Sequence, residues 1–294
     1  MKMSNEQIEG ERRSGRVAGI IGLLGVVLFI AIGATSLASE FRAADGSADS
    51  LAAFPDERSQ VLVLLIVQAV GVLLFIPALL ALFSAARRRT SVVRPGLIGL
   101  CIAGPLFFAA SLIANYFAID AAAGAFDPSA VDPGTDLDDA ARDVYLDQGE
   151  SNVKNGLEFA GRLGLTFAMV YTSLHAMRSG LLTRFWGTLG MALGVGVILI
   201  GPPALLAFFL AISLIIAGFW PGGRPPAWDA GAALPWPKPG EQAVVPEPEE
   251  ELARPEDFEG DEGEGSSGSG STALSAQRPA RRDNKRKRKR KQRS

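Results

Sequence analysis

Long uninterrupted apolar runs occupy the chain between Val17 and Trp220, and a polar segment follows them. An apolar run of about 18 or more residues without charge is typical of a helix that crosses a lipid bilayer. The runs predict an all-α polytopic membrane helix bundle with six transmembrane helices and a disordered C-terminal tail. The predicted domains are a cytoplasmic N-terminus at residues 1–16, the helix bundle at residues 17–220 and the cytoplasmic tail at residues 221–294.

Four of the six predicted spans follow from single apolar runs. They are Val17–Ala38, Val61–Ala86, Gly96–Ile119 and Leu157–Met177. The first run is longer than the roughly 7–15 residues of a signal-peptide core, so we expect it to remain as a membrane helix. The last run, residues 185–219, is too long for one crossing at ~1.5 Å per residue. Gly201-Pro202-Pro203 interrupts it, which favours two spans, Phe185–Ile200 and Pro203–Phe219, over one kinked helix.

The charges between the spans predict the orientation of the bundle. Basic residues cluster before span one, after span two and after span four, whereas acids dominate residues 39–60 and 120–156. Short basic loops stay in the cytoplasm. The pattern therefore predicts a multi-pass protein of the inner cell membrane with both termini in the cytoplasm. Five spans would instead leave the tail outside.

Composition narrows the chemistry that the chain could carry out. It contains one cysteine, Cys101, and one histidine, His175, so it lacks paired ligands for a Cys- or His-based metal site. The acidic loop at residues 121–156 does not have the spacing of a calcium-binding loop. The spans contain no paired carboxylates and no nucleophile with a base. We therefore expect no catalytic residue, no metal and no cofactor, and we expect that the protein is not an enzyme.

Four polar residues inside the predicted spans form a candidate intramembrane polar site. They are Gln68, Asn115, Arg162 and Thr166. A charge at the bilayer centre costs at least ~2.5–3.5 kcal/mol on insertion scales, so Arg162 needs a physical reason. Lys154, Glu158 and Arg162 lie at i, i+4 and i+8, on one helical stripe. Two interpretations stay open: Arg162 extends to the outer interface and pairs with Glu158, or it belongs to a polar site between the helices.

Glycines in span five predict a close contact between helices. Gly187, Gly190 and Gly194 lie at i, i+3 and i+7, within one narrow stripe. In lipid, helices associate through close packing at small residues. We expect this stripe to pack against the alanine stripe of span six in the same chain.

The segment after the last span is rich in proline and tryptophan. Trp220, Trp228 and Trp236 are expected to anchor it at the inner membrane interface, where indole rings are favoured. A proline-rich site for a protein partner is the alternative.

Three stretches of the chain resemble a known group of proteins. Tyr171–Gly190, Gly223–Trp228 and Leu234–Pro237 resemble uncharacterised bacterial multi-pass membrane proteins. The resemblance covers the last two spans and the first part of the tail. It implies a helical membrane protein and brings no assigned activity.

The tail separates its charges into an acidic block, residues 241–264, and a basic block that ends in a run of cations. That run is Lys285, Arg286, Lys287, Arg288, Lys289, Arg290 and Lys291. Cations close to a membrane surface contribute ~1 kcal/mol each, so we expect this run to contact anionic lipid headgroups. No aromatic residue interleaves with it, so stacking on bases is unsupported and no DNA partner is expected. The run resembles that of bacterial membrane insertases, which implies contact with RNA or a ribosome as the alternative.

The expected function is that of a non-catalytic envelope protein that acts structurally or binds a partner. The alternative is a small-solute or ion transporter or channel, which needs a polar path through the bundle. Convergence of Gln68, Asn115 and Arg162 on one cavity would help to distinguish the two.

We predict that a peptide of residues 278–294 binds vesicles that contain anionic lipid, and that binding weakens steeply as salt is added. The reason is that surface charge is screened within ~8 Å at physiological ionic strength. Cosedimentation with phosphatidylglycerol vesicles measures the binding, and phosphatidylcholine vesicles are the control. Equal binding to both would contradict the prediction.

Overall fold

The structure is a computed structural model that describes residues 3–38, 47–221, 223–234 and 236. The described residues form nine α-helices and two short 3-10 turns. The helices are α1 (Asn5–Ala38), α2 (Ala48–Leu73), α3 (Ile76–Arg89), α4 (Ile98–Ala125), α5 (Leu137–Asp147), α6 (Gly149–Arg178), α7 (Arg184–Leu199), α8 (Pro202–Ala217) and α9 (Ala227–Ala230). The predicted all-helical class is confirmed. The predicted headgroup contacts at residues 285–291 lie outside the described residues.

Three helical stretches in the described part of the chain are long and apolar enough to cross a membrane. They are Asn5–Ile32, Ala48–Arg89 and Pro95–Ala125. α7 and α8 are apolar but shorter, with 16 residues each, and α6 carries several charged residues and is not among the three. Large apolar side chains such as Phe107, Phe159 and Phe167 are exposed on the helices. Such exposed apolar surface is typical of contact with lipid.

α1 begins at Asn5, well before the predicted start of span one at Val17. Ser4 and Gln7 cap its first turn, because the Gln7 N–H donates to Ser4 Oγ at 3.3 Å and the Ser4 N–H donates to Gln7 Oε1 at 3.1 Å. Such a capping box satisfies donors that the start of a helix leaves unpaired. The predicted N-terminal segment is therefore mostly helical. With 34 residues, α1 is about 51 Å long.

The predicted second span, Val61–Ala86, is divided into two helices. A turn at Leu74–Phe75 separates α2 from α3. Pro77 accounts for the break, since proline has no N–H to continue the hydrogen-bond ladder of α2. Phe75 in this turn is fully buried and stacks on Phe209 of α8, with ring centroids 4.0 Å apart.

The last apolar run forms two helices, with the break at the predicted position. Gly201 separates them with φ 77° and ψ −139°, a conformation that is nearly exclusive to glycine. A Cβ added at Gly196 would lie 3.2 Å from the Ala204 Cβ, and one at Gly190 would lie 3.2 Å from the Phe208 ring. Gly196, late in α7, thus lies next to Ala204 near the start of α8, and the earlier Gly190 lies next to the later Phe208. The two helices are therefore an antiparallel hairpin, and its open ends lie at the same end of the bundle.

Glycines bring α4 and α6 into backbone contact, which is the most extensive helix contact in the described structure. A Cβ added at Gly104 would lie 2.6 Å from the Leu165 nitrogen, and one at Gly161 would lie 2.5 Å from the Phe108 nitrogen. Cβ atoms in proteins do not approach backbone so closely. Neither position can therefore hold a larger residue unless the two antiparallel helices move apart.

α1 is held between two neighbours in the same way. A Cβ at Gly19 would lie 2.6 Å from the Ala217 nitrogen of α8, and one at Gly25 would lie 2.6 Å from the Gly71 carbonyl oxygen of α2. Gly22, between them, contacts Ser213 of α8. One glycine-bearing side of α1 thus serves two helix contacts.

The glycine stripe of α7 packs within the chain, but mainly against a helix other than the expected one. A Cβ at Gly187 would meet Met177, and one at Gly194 would meet Val170, both on α6. Gly190 contacts α6 and α8 together. The predicted partner, the alanine stripe of α8, is therefore corrected to α6. The physical reason is that side chains of α6, among them Met177 and Val170, fill the groove that the missing Cβ atoms leave along α7.

Caps close both ends of the bundle. At one end, which we call the α5 end, α5 packs on α2 and α4 around Phe54 and Tyr145. At the other, which we call the α9 end, α9 packs on α1 and on the loop between α6 and α7. The Met3 N–H donates to the Gly231 carbonyl at 3.3 Å. The start of α1 and residues 223–234 therefore meet at the α9 end.

We predict that Gly161→Leu strongly lowers the melting temperature of the detergent-solubilised protein, because the new side chain would overlap the backbone of Phe108. Overpacking costs ~1–3 kcal/mol or more. Gly156→Leu is the matched control, since it lies on the same helix and a Cβ there meets nothing within 4 Å. Equal losses in the two variants would contradict the backbone contact.

Candidate functional site

Three of the four predicted polar residues meet around one cavity of about 180 Å³. Gln68 comes from α2, Asn115 from α4 and Arg162 from α6. The remaining lining residues come from α1, α4, α6 and α8, and they are Phe29, Phe108, Ser111, Leu112, Lys154, Glu158 and Pro202. We call this the polar cavity. A position within an apolar run marks each polar residue singly, but their meeting depends on the packing of separate helices.

A chain of ion pairs runs along the α6 side of the polar cavity. The Lys154 ammonium lies 2.7 Å from Glu158 Oε2, and the Arg162 guanidinium pairs with the other oxygen of Glu158. Both pairs have the i, i+4 spacing that the sequence indicated. All three side chains are partly buried, so water screens these pairs less than it screens exposed surface pairs.

Arg162 lies where the α7–α8 hairpin turns. A Cβ added at Gly201 would lie 3.9 Å from Arg162 Nη2, and Pro202 lines the same cavity. Within the described residues, the Arg162 Nε–H is buried and has no hydrogen-bond acceptor. Leaving a buried donor unpaired costs ~1–3 kcal/mol, so an acceptor in the cavity would stabilise this side chain.

The N-terminus of α8 also faces the cavity through Pro202. The start of a helix carries a partial positive charge. Pro202 and Pro203 have no N–H, so this helix start lacks amides that commonly bind an anion. Hydrogen-bond donors for an anion therefore come from the side chains that line the cavity.

Asn115 is oriented by the cap at the α5 end. The Tyr145 hydroxyl donates to Asn115 Oδ1 at 2.9 Å. Burial raises the pKa of the Tyr145 phenol, and the Glu158 carboxylate raises it further, so the hydroxyl stays protonated at neutral pH. Because Oδ1 already accepts a hydrogen bond, Asn115 is left with its NH₂ group as the donor.

Thr166, the fourth predicted residue, lies away from the polar cavity at a helix contact. Its hydroxyl donates to the Gly194 carbonyl of α7 at 2.9 Å, and its side chain is buried. Thr166 joins α6 to α7, and Lys154 and Glu158 line the cavity in its place. Thr166 lies one helical turn beyond Arg162. This spacing is compatible with lining the cavity and with joining two helices, so the sequence does not distinguish the two roles.

Apolar side chains close the bundle below the polar cavity. One or two turns further toward the α9 end, α2–α3, α6 and α8 bury Phe75, Leu165, Met169 and Phe209. The stacked rings of Phe75 and Phe209 lie in this layer. In the part of the chain that the structure describes, an apolar layer therefore borders the polar cavity on its α9 side.

A buried ion pair that no sequence pattern predicts lies at the α9 end. The side chains of Arg89 and Glu11 are 0% and 7% exposed, and Arg89 Nη1 lies 2.9 Å from Glu11 Oε1. The guanidinium also donates to the Ala85 and Ala227 carbonyls, both at 3.0 Å, and lies 5.7 Å from the centre of the Trp228 ring. The run Arg87–Arg89 predicts a basic loop, and the sequence does not distinguish the buried Arg89 from its two exposed neighbours.

The segment rich in proline and tryptophan belongs to the packed structure. Trp228 is 4% exposed and donates its indole N–H to the Leu181 carbonyl at 3.0 Å. Trp236 donates to the Leu182 carbonyl at 2.8 Å. Residues 227–230, on the tail side of the predicted boundary at residue 221, therefore pack on the bundle, and the Trp228 ring is buried by protein. The carbonyls of Leu181 and Leu182 lie between α6 and α7 and accept no intrahelical hydrogen bond. They are therefore available to accept hydrogen bonds from the indoles of Trp228 and Trp236.

Comparison with protein-family models, with curated proteins and with solved structures gives no match. The described residues also contain no group of three or more His, Cys, Asp or Glu that could hold a metal ion.

We predict that Arg89→Met lowers the free energy of unfolding by ~3–5 kcal/mol, because it leaves the Glu11 carboxylate buried without its partner. Glu11→Gln should cost less, since Arg89 keeps the carbonyl acceptors of Ala85 and Ala227. Arg88→Met changes an exposed neighbour and is the control. Unfolding of the purified protein in detergent measures all three. Arg89→Met and Arg88→Met proteins of the same stability would refute the role of the pair.

Proposed function

We propose that this chain is a non-catalytic multi-pass protein of the bacterial inner membrane that binds a small anionic solute in the polar cavity. The observation that carries the proposal is the convergence of Gln68, Asn115 and Arg162 on one space between helices. The bacterial assignment rests on the resemblance of Tyr171–Gly190. Buried polar groups in a membrane bundle face the interior and mark binding sites for solutes.

The charges of the cavity favour an anion. Two cations, Lys154 and Arg162, share the one carboxylate of Glu158. The positive end of α8 adds to them. The amides of Gln68 and Asn115 supply further donors, and the Arg162 Nε–H is a donor that an incoming oxygen would satisfy. A small carboxylate matches this set, since guanidinium groups hold carboxylates through directed hydrogen bonds.

The proposed orientation places the α9 end in the cytoplasm and the α5 end outside. The loops that meet the α9 end are basic, and the α4–α5 loop at the other end is acidic. Six spans with both termini in the cytoplasm are consistent with the hairpin of α7 and α8. Each of these helices is only ~24 Å long, less than the ~30 Å of a hydrocarbon core. Leu199 and Ile200 at its turn are 79% and 67% exposed, which suits a turn within the outer leaflet.

A transporter of the same solute is the second candidate. The Gly201 turn beside the polar cavity favours it, because transporters bind substrate next to interrupted helices. Transport would require the layer of Phe75 and Phe209 to open toward the cytoplasm. A solute-binding protein and a transporter would both first bind the solute from the outer side of the membrane.

Accessibility of an introduced thiol tests the proposal. Gln68→Cys is made in a Cys101→Ala background, so that the introduced thiol is the only one. In right-side-out membrane vesicles, we expect a membrane-impermeant anionic methanethiosulfonate to react faster than a cationic one of similar size. Acetate, succinate or glutamate should slow the reaction by occupying the cavity.

Two arginine variants serve as probe and control. Arg162→Gln should remove both the preference for the anionic reagent and the protection by carboxylates, whereas Arg142→Gln, an exposed change on α5, should change neither. Equal rates with both reagents and no protection would refute anion binding. Reaction only in inside-out vesicles would refute the orientation.

A further inference from the structure

A second cavity, of about 310 Å³, lies at the α9 end between α1 and the residues that follow α8. Three arginines and one acid line it with backbone and apolar groups, and the lining residues are Arg12, Arg16, Ala217, Gly218, Phe219, Gly223, Arg224 and Asp229. We call it the arginine pocket. It shares no residue with the polar cavity, so the two sites stand independently.

Arg224 is fixed at the wall of the arginine pocket by the protein. Its Nη2 donates to the Ile216 carbonyl at the end of α8, and its guanidinium carbon lies 5.6 Å from the centre of the Trp228 ring. Gly218, with φ 83°, lets the chain turn next to the guanidinium. Within the described residues, the Arg224 Nε–H is buried and has no acceptor. The Ile216 carbonyl and the Trp228 ring therefore fix the Arg224 guanidinium, and its Nε–H remains available to donate to a ligand.

The other two arginines come from one side of α1. Arg12 and Arg16 are exposed and lie four residues apart, so they occupy adjacent turns of the same helix face. The Arg16 guanidinium lies 5.7 Å from the centre of the Phe219 ring, which is itself exposed. Beyond Arg16, α1 exposes Val17 and Ile20. A charged pocket thus borders an apolar helix surface.

The arginines repel one another across this pocket. Burial lowers the pKa of the Arg224 guanidinium and Arg12 and Arg16 lower it further, while Asp229 and Glu11 offset part of this effect. Glu11 is already paired with Arg89, outside the pocket. Three cations therefore face one lining carboxylate, and an anion between them would turn repulsion into attraction.

We propose that the arginine pocket binds the phosphate group of an anionic membrane lipid. Guanidinium groups hold phosphate oxygens through paired, charge-assisted hydrogen bonds. Basic pockets between membrane helices on the cytoplasmic side are suited to anionic headgroups. Val17 and Ile20 lie where the acyl chains of such a lipid would descend along α1. The leaflet, but not the site, depends on the proposed orientation of the bundle.

Native mass spectrometry of the full-length protein in detergent tests this site. Phosphatidylglycerol should give a discrete bound lipid, and phosphatidylcholine, which has a phosphate but no net charge, should bind more weakly. Removing two guanidinium groups by Arg12→Gln with Arg16→Gln should weaken phosphatidylglycerol binding on the order of tenfold or more. Arg13→Gln, an exposed arginine that does not line the pocket, is the matched control and should retain binding.

Both variants keep the basic residues 278–294, so the difference between them reports the arginine pocket alone. Thermal unfolding without lipid shows whether the double variant remains folded, and Arg12→Gln alone is used in its place should it unfold. Equal phosphatidylglycerol binding by the Arg12→Gln, Arg16→Gln protein and by the Arg13→Gln protein would overturn the proposal. Glycerol 3-phosphate is the soluble probe, and binding as tight as that of phosphatidylglycerol would assign the pocket to a free phosphate ester and overturn the lipid assignment.

Discussion

Backbone contact at glycines sets the distances between the helices of this chain. α4 and α6 touch at Gly104 and Gly161, and α1 touches its neighbours at Gly19 and Gly25. In lipid, apolar side chains gain little by leaving the solvent, so helices associate through dispersion contacts that require close approach. The same approach brings Asn115 of α4 and Arg162 of α6 to one cavity. The site therefore depends on residues that carry no polar group.

Three arginines are held by the fold, and their hydrogen bonds separate them into two kinds. Arg89 has carbonyl and carboxylate acceptors on three elements and is closed off from solvent, so its role is structural. Arg162 and Arg224 each keep an Nε–H with no acceptor among the described residues. Because a buried donor without a partner is costly, these two arginines are stabilised by whatever acceptor enters their cavities. This difference supports treating the polar cavity and the arginine pocket as binding sites.

Signals that act within one helix were predictable from the sequence. The apolar runs predicted α1 and α4, the i, i+4 spacing indicated the pair of Glu158 with Arg162, and Gly201-Pro202-Pro203 marked the hairpin turn. Pro77 is also a local signal for the break at Leu74–Phe75. The long apolar run around it nevertheless favoured a single span, Val61–Ala86.

Signals that act between helices were not predictable, because they depend on which faces meet. The glycines of α7 indicated a close contact but not that α6 fills the groove. Trp228 lies in a stretch whose proline content is typical of a linker, and its burial comes from contacts with the α6–α7 loop and with Arg89. Glu11 lies in the predicted polar N-terminus, and its pair with Arg89 depends on the helical start of α1 at Asn5.

The position of α9 in the chain has a consequence for the order of assembly. The carbonyl of Ala227 that receives the Arg89 Nε–H is 138 positions further along the chain. At ~5–20 residues per second, on the order of 7–30 seconds pass between the synthesis of the two. Until α9 is made, the Arg89 guanidinium lacks both the Ala227 carbonyl and the Trp228 ring. Residues beyond the last long helix thus complete the burial of a charge pair whose two partners were made long before them.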